Sequence, residues 1–130
     1  NNGSLIKTIG DAVMASFDDP VDAMRCAVKM QDRVDSESEL VLKIGLHYGR
    51  VMAVTLNDRL DYFGATVNRA ARLEGQSKGG DIVCSRVVYE DPAVDRLLKT
   101  EGFKLSYETL QVKGVEEAMS VLRVQVVGDP

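Results

Sequence analysis

A chain of 130 residues, 45% apolar and 28% charged, suits one globular domain over residues 1–130 with a buried core. Its net charge of −4 and pI of about 5.0 argue against a nucleic-acid partner, which calls for a basic face. An anionic ligand held by a few focused cations stays open. Cys26 and Cys84 lie far apart, with neither zinc spacing nor a CxxC pair. They read as small buried thiols in a reducing, cytoplasmic setting. No apolar run reaches membrane-span length and no signal peptide is visible, so no membrane contact is expected of this segment. The segment is compatible with a larger, multidomain or membrane-attached protein.

Asn1 to Ser4 reads as a turn. Leu5 to Ile9 alternates, with Leu5, Lys7 and Ile9 on one side and Ile6 and Thr8 on the other. Ala12 to Phe17 is a second apolar run. Gly10 and Asp11 between them form a two-residue hairpin connection, which puts an acid at the tip. Asp18-Asp19-Pro20 then starts a helix, with an Asp cap and Pro in the first turn. Val21, Met24, Ala27, Val28, Gln31 and Val34 keep helical spacing, and the helix ends in the polar run Asp35 to Glu39. Met24 and Met30 read as core filler.

Leu40 to Leu46 and Tyr48 to Leu56 read as one long strand or a bent pair, with Gly45 and Gly49 as soft points. Asn57-Asp58-Arg59 is a turn, and Asp61 falls just ahead of a helix. That helix runs from Ala65 to Glu74, is stopped by Gly75, and leads into Ser77-Lys78-Gly79-Gly80. Asp81 to Val88 is a strand, Pro92 to Leu98 a short helix, and Phe103 to Gln111 and Met119 to Val127 two last strands. The order predicts an α/β (α+β) sandwich of ferredoxin-like kind, its sheet mixed and mostly antiparallel, with helices on one face.

Asn68 and Arg72 are four apart on the second helix and share a side. Arg is the side chain best suited to phosphate, although a solvated helix face explains the pair as well. Asp11 suits Mg²⁺ or Mn²⁺, yet Gly-Asp turns are common. Lys7 and Asp61 each have an ordinary structural explanation, as a surface lysine and a residue favoured by a helix dipole. His47, the only histidine, has no Cys or second His nearby and reads as structural. Ser77-Lys78-Gly79-Gly80 looks like a phosphate loop but follows a helix rather than opening one.

Four blocks in order carry a resemblance. Lys7-Thr8-Ile9-Gly10-Asp11-Ala12-Val13-Met14-Ala15 and Asp61-Tyr62-Phe63-Gly64-Ala65-Thr66-Val67-Asn68-Arg69-Ala70-Ala71-Arg72-Leu73 closely resemble the class III adenylate/guanylate (nucleotidyl) cyclase catalytic domain. Ile44-Gly45-Leu46-His47-Tyr48-Gly49 and Val112-Lys113-Gly114-Val115 are similar to its further strand signatures. The resemblance implies that Asp11 is one of two metal aspartates, that Lys7 and Asp61 read the purine, and that Asn68 and Arg72 act on the transition state. It also implies that Lys113 contacts the phosphates. The implied cofactors are two Mg²⁺ or Mn²⁺ ions, and the implied assembly is a head-to-tail homodimer with metal and purine residues from opposite subunits.

The implied activity is an adenylate cyclase, a phosphorus–oxygen lyase that turns ATP into 3′,5′-cyclic AMP and pyrophosphate. Adenine presents an acceptor at N1 and a donor at N6, which complements donor-only Lys7 and acceptor-only Asp61. Guanine presents the reverse, and each unpaired buried group costs roughly 1–3 kcal/mol.

The resemblance starts partway into the family pattern. The family's first strand, its first metal aspartate and its phosphate-gripping turn have no counterpart from Asn1 onward. The chain is therefore expected to be an N-terminally trimmed piece with little or no cyclase activity by itself. A degenerate nucleotide-binding or regulatory domain and a dimerisation module are the alternatives.

Overall fold

The computed structural model describes residues 3–9, 12–35, 42–49, 52–56, 59–110 and 118–126. Strands β1 (Gly3–Ile9) and β2 (Ala12–Phe17) form an antiparallel hairpin, closed by the pair Ile9 and Ala12. The expected two-residue connection, Gly10 and Asp11, lies outside the described residues. The strict alternation expected along β1 is broken. Leu5 stands opposite Ala15 but Lys7 opposite Met14, so β1 carries a bulge at Ile6.

Helix α1 (Pro20–Asp35) begins at the expected proline, and Asp22 and Ala23 donate their N–H groups to the Asp19 carbonyl. Met24, Ala27 and Gln31 are its buried stripe. Met30 is 45% exposed, which corrects its reading as core filler: it falls off the stripe that Met24 anchors.

The expected long strand between residues 40 and 56 is two short ones, β3 (Ile44–Leu46) and β4 (Met52–Leu56). Arg59, expected in a turn, opens β5 (Arg59–Phe63), which pairs antiparallel with β4 from Leu56–Arg59 to Met52–Phe63. Asp61 therefore sits inside a strand, opposite Val54. Helix α2 (Ala65–Gln76) follows and passes through Gly75, ending where Ser77 turns extended. Strand β6 (Asp81–Ser85) stops short of the expected Val88, because Arg86–Tyr89 coil into the short helix α3. Helix α4 (Pro92–Glu101) is capped by Asp91, whose carboxylate accepts from the N–H groups of Ala93 and Val94, and is ended by left-handed Gly102. Strands β7 (Lys104–Leu110) and β8 (Met119–Gln125) complete the described chain.

The principal sheet has the order β3-β6-β8-β7, parallel between β3 and β6 and antiparallel elsewhere. The expected α/β sandwich with a mixed sheet is thus present, but its helices cover both faces. Ile82 and Cys84 of β6 and Leu122 and Val124 of β8 pack with Met24 of α1, Val88 of α3 and Val94 and Leu98 of α4. Val83 and Val121, on the alternate positions, pack with Leu73 of α2. All five residues of β6 are buried. A continuous run such as Ile82-Val83-Cys84 needs cover on either side, so helices on one face alone leave half of it wet. Among the described residues β2 and β3 do not pair with each other, yet α1 packs on both.

Candidate active site

Helix α2 is the platform. Its inner side seats Leu73 between Val83 and Val121. Its outer side carries Asn68 and Arg72, both exposed and one turn apart, as expected from their spacing. The helix lies unusually close to the sheet at Gly45. A β-carbon there would stand 2.7 Å from the Ala70 carbonyl oxygen. Only a residue without a side chain lets the strand approach the helix backbone so closely. At the other end, a β-carbon on Gly49 would meet the Thr66 hydroxyl at 2.6 Å.

Polar groups fasten α2 at its exit and join β3 to β6 at their ends. His47 Nδ1, just after β3, and the hydroxyl of Ser85, the last residue of β6, are 2.6 Å apart. Burial, then the neighbouring Arg69 charge, lowers the His47 pKa, so the neutral ring is favoured. The expected structural role of His47 accords with that contact.

At the end of α2, the buried Asp81 carboxylate accepts from the Ser77 hydroxyl and from the backbone N–H groups of Lys78 and Gly79. Arg123 also donates to Asp81. Burial alone would raise the Asp81 pKa, but the Ser77 hydroxyl, Arg123 and the Lys78 N–H outweigh it and hold the carboxyl below its ordinary value. The Ser77–Gly80 loop is therefore occupied by a carboxylate of its own chain. The Ser77 hydroxyl and the Lys78 and Gly79 N–H groups that a phosphate would need are thus already bonded to Asp81. Gly79 and Gly80 have φ of 98° and 75°, which lets the loop fold back over Asp81.

Of the expected site residues, Lys7 lies on β1 opposite Met14 and Asp61 on β5 opposite Val54. Strands β1 and β5 pack against each other, so the two backbones that carry the donor and the acceptor are neighbours. Asp11 and Lys113 fall outside the described residues. Gly45, expected as a soft point of a strand, is instead a close-packing position, and the Asp81–Arg123–Glu108 network has no counterpart among the sequence expectations. A usable signal existed for the network: Asp81 and Arg123 are charges lodged in apolar strands, Asp-Ile-Val-Cys and Val-Leu-Arg-Val.

Two helix-bearing faces on a mixed sheet, with an Asn–Arg pair displayed on the helix after a β4–β5 arm, describe an α/β sandwich domain. The chain belongs to the adenylate and guanylate cyclase catalytic domain family, whose sequence model matches residues 1–125. It is 32% identical over 144 aligned positions to an adenylate cyclase of Anabaena cylindrica, covering 95% of this chain and 28% of that protein. Among solved structures it resembles an adenylate/guanylate cyclase/hydrolase from Silicibacter pomeroyi, with TM-score 0.73, 32% identity and coverage of 94% of this chain and 72% of that one. It also resembles the guanylate cyclase domain of RhGC from Catenaria anguillulae in complex with GTP, with TM-score 0.75, 26% identity and coverage of 94% and 71%. The chain spans between 5% and 28% of the length of the curated relatives it matches. Among the described residues no helix is long and apolar enough to cross a membrane.

Proposed function

We propose that the domain is the catalytic part of an adenylate cyclase, which converts ATP to 3′,5′-cyclic AMP and pyrophosphate. The observation that carries the choice of ATP is the packing of β1 on β5, the strands of Lys7 and Asp61. A donor-only amine and an acceptor-only carboxylate on adjacent strands suit N1 and the N6 amino group of adenine, and mismatch guanine at both. Family membership alone leaves the base open, since the similar proteins include an adenylate cyclase and a guanylate cyclase domain.

The chemistry is attack of the ribose 3′-hydroxyl on the α-phosphorus, with the bond to the pyrophosphate oxygen breaking. Arg72 stabilises the charge that builds on the α-phosphoryl oxygens, and Asn68 orients the ribose. Lys113 contacts the departing phosphates. Asp11, which lies between the paired residues Ile9 and Ala12 in the sequence, offers hard carboxylate oxygen, the donor that Mg²⁺ or Mn²⁺ prefers. A divalent ion bound there would supply Lewis-acid neutralisation of phosphate charge.

Asn68 and Arg72 are exposed on the side of α2 turned away from its own sheet. That placement supports a head-to-tail homodimer in which they act on a nucleotide whose metal ligands belong to the other copy. Among the described residues β2 pairs only with β1 and β3 only with β6, and both pack on α1, which supports insertion of a further strand between them, bringing the second metal carboxylate. Residues 1–130 alone are accordingly proposed to turn over little.

The test is a coupled pyrophosphate assay with Mn²⁺ and either ATP or GTP, on residues 1–130 and on the native full-length polypeptide. ATP preference in the latter, moved toward GTP by Lys7→Glu combined with an Asp61 replacement, is the expected result. An unchanged ATP-to-GTP ratio in that variant would remove the base-reading assignment. Full turnover by residues 1–130, abolished by Arg72→Ala, would remove the claim that a second carboxylate is needed.

A further inference from the structure

The exit of α2 is fastened by one guanidinium. Arg123 Nη1 donates to the carbonyl oxygen of Gln76, the last residue of α2, at 3.1 Å. The same group donates to buried Asp81, and Nε donates to Glu108 at 2.9 Å. The Arg123 side chain is 12% exposed and that of Asp81 1%, so water competes little for that bond, while Gln76 and Glu108 lie nearer the surface. The Ser77 hydroxyl, held by Asp81, also accepts from the Ile44 N–H at 3.3 Å, which ties the end of α2 to the start of β3. Only Arg offers enough donors, in a fixed fork, to serve a helix carbonyl and two carboxylates at once.

We propose that Arg123 is a positioning residue for the nucleotide chemistry: by gripping the Gln76 carbonyl from the sheet it sets where Arg72, one turn earlier, and Asn68 stand. This rests on the reading of Asn68 and Arg72 as the transition-state pair. Arg72 is within one turn of the anchor, so loosening the anchor lets the pair drift while the purine strands β1 and β5 stay as they are. A displacement of about 1 Å at such groups costs on the order of 100-fold in rate.

The test compares Arg123→Lys, Arg123→Met and the double variant Asp81→Asn with Arg123→Met in the native full-length polypeptide. The double variant leaves no uncompensated buried charge, so it folds where Arg123→Met alone fails. Two readouts are taken: kcat and KM for nucleotide turnover, and amide hydrogen exchange of residues 68–76 against β6 and β8. Expected in the double variant are kcat lower by about 10- to 100-fold with KM within about threefold. Exchange across the end of α2 should be at least about tenfold faster, with β6 and β8 unchanged. Arg123→Lys, which keeps the charge beside Asp81 but cannot span all three acceptors, falls between. Unchanged kcat in the folded double variant, or a fall in kcat without faster exchange at α2, overturns the proposal. Wild-type protein that turns over neither ATP nor GTP would sink the cyclase reading instead, and the exchange readout would still decide whether Arg123 fastens α2.

Discussion

Gly45 in β3 lies against the backbone of α2 so closely that a β-carbon would come within 2.7 Å of the Ala70 carbonyl oxygen. The obstacle is helix backbone, not a side chain that can swing away, so the helix itself must retreat. Gly45→Ala is expected to cost about 1–3 kcal/mol of stability, the usual range for overpacking. Gly45→Val should cost more. Urea unfolding followed by circular dichroism measures it, and an unchanged midpoint for Gly45→Ala would mean that α2 moves aside freely.

Asn68 and Arg72 should separate chemistry from folding. Both are exposed on the outer side of α2, and substitutions at exposed sites usually shift stability by about 0.5 kcal/mol or less. Loss of one group that stabilises transition-state charge typically lowers kcat by about 100- to 1,000-fold. Asn68→Ala and Arg72→Ala in the full-length polypeptide are expected to follow this pattern, with a double variant well short of the product of the two effects. A loss of activity that tracked a fall in melting temperature would assign them a structural role.

Acid should weaken the link between the ends of β3 and β6 through His47. Burial first, and Arg69 second, hold its folded pKa below the ordinary value. The unfolded chain therefore binds the extra proton more readily between the ordinary pKa, about 6.5, and the lower folded one. Stability is full above that window and declines as pH falls through it. The urea midpoint of the wild type should drop as pH falls below about 6.5, and His47→Gln should flatten that part of the curve. Parallel curves for the two proteins would show that His47 carries none of the dependence.

The two thiols should differ sharply in reactivity. Burial pushes the Cys84 thiol up to about 12, since a thiolate inside the core would be desolvated. Cys26 is only half-buried, on α1, with its Sγ 3.9 Å from Met30 Sδ. In Cys26→Ser protein, Cys84 should react with a disulfide reagent no faster than the protein unfolds, and promptly once denatured. Rapid labelling of native Cys26→Ser protein would contradict the burial of β6.

Helices α1, α2 and α4 were legible because their signals are local, whereas α3 was read as strand. Pro20, Pro92 and the stripe Met24, Ala27, Gln31 need only a few neighbouring residues to read. Residues 40–63 were harder, because three strands are joined by links of two to five residues and Asn57-Asp58-Arg59 resembles a longer turn than the hairpin has. Which face each helix takes is a long-range matter. Nothing in Ala65 to Gln76 says that Leu73 meets Val83 rather than Ile82. Asn68 and Arg72 were readable as a same-side pair from spacing alone. The partners of Asp81 were not, since Arg123 lies 42 residues away and is brought there only by the β6–β8 register.

That register has a built-in safeguard. Ile82-Val83-Cys84 would satisfy an apolar environment in either of two orientations, since both faces of β6 are covered. A one-residue slip would thus go almost unpunished by the hydrophobic effect. The end residues break the tie. Asp81 must meet Arg123 and Ser85 must meet His47, and a slipped strand would turn a carboxylate and a hydroxyl into oil on the wrong side. The two polar ends act as alignment pins for a strand whose middle cannot tell up from down.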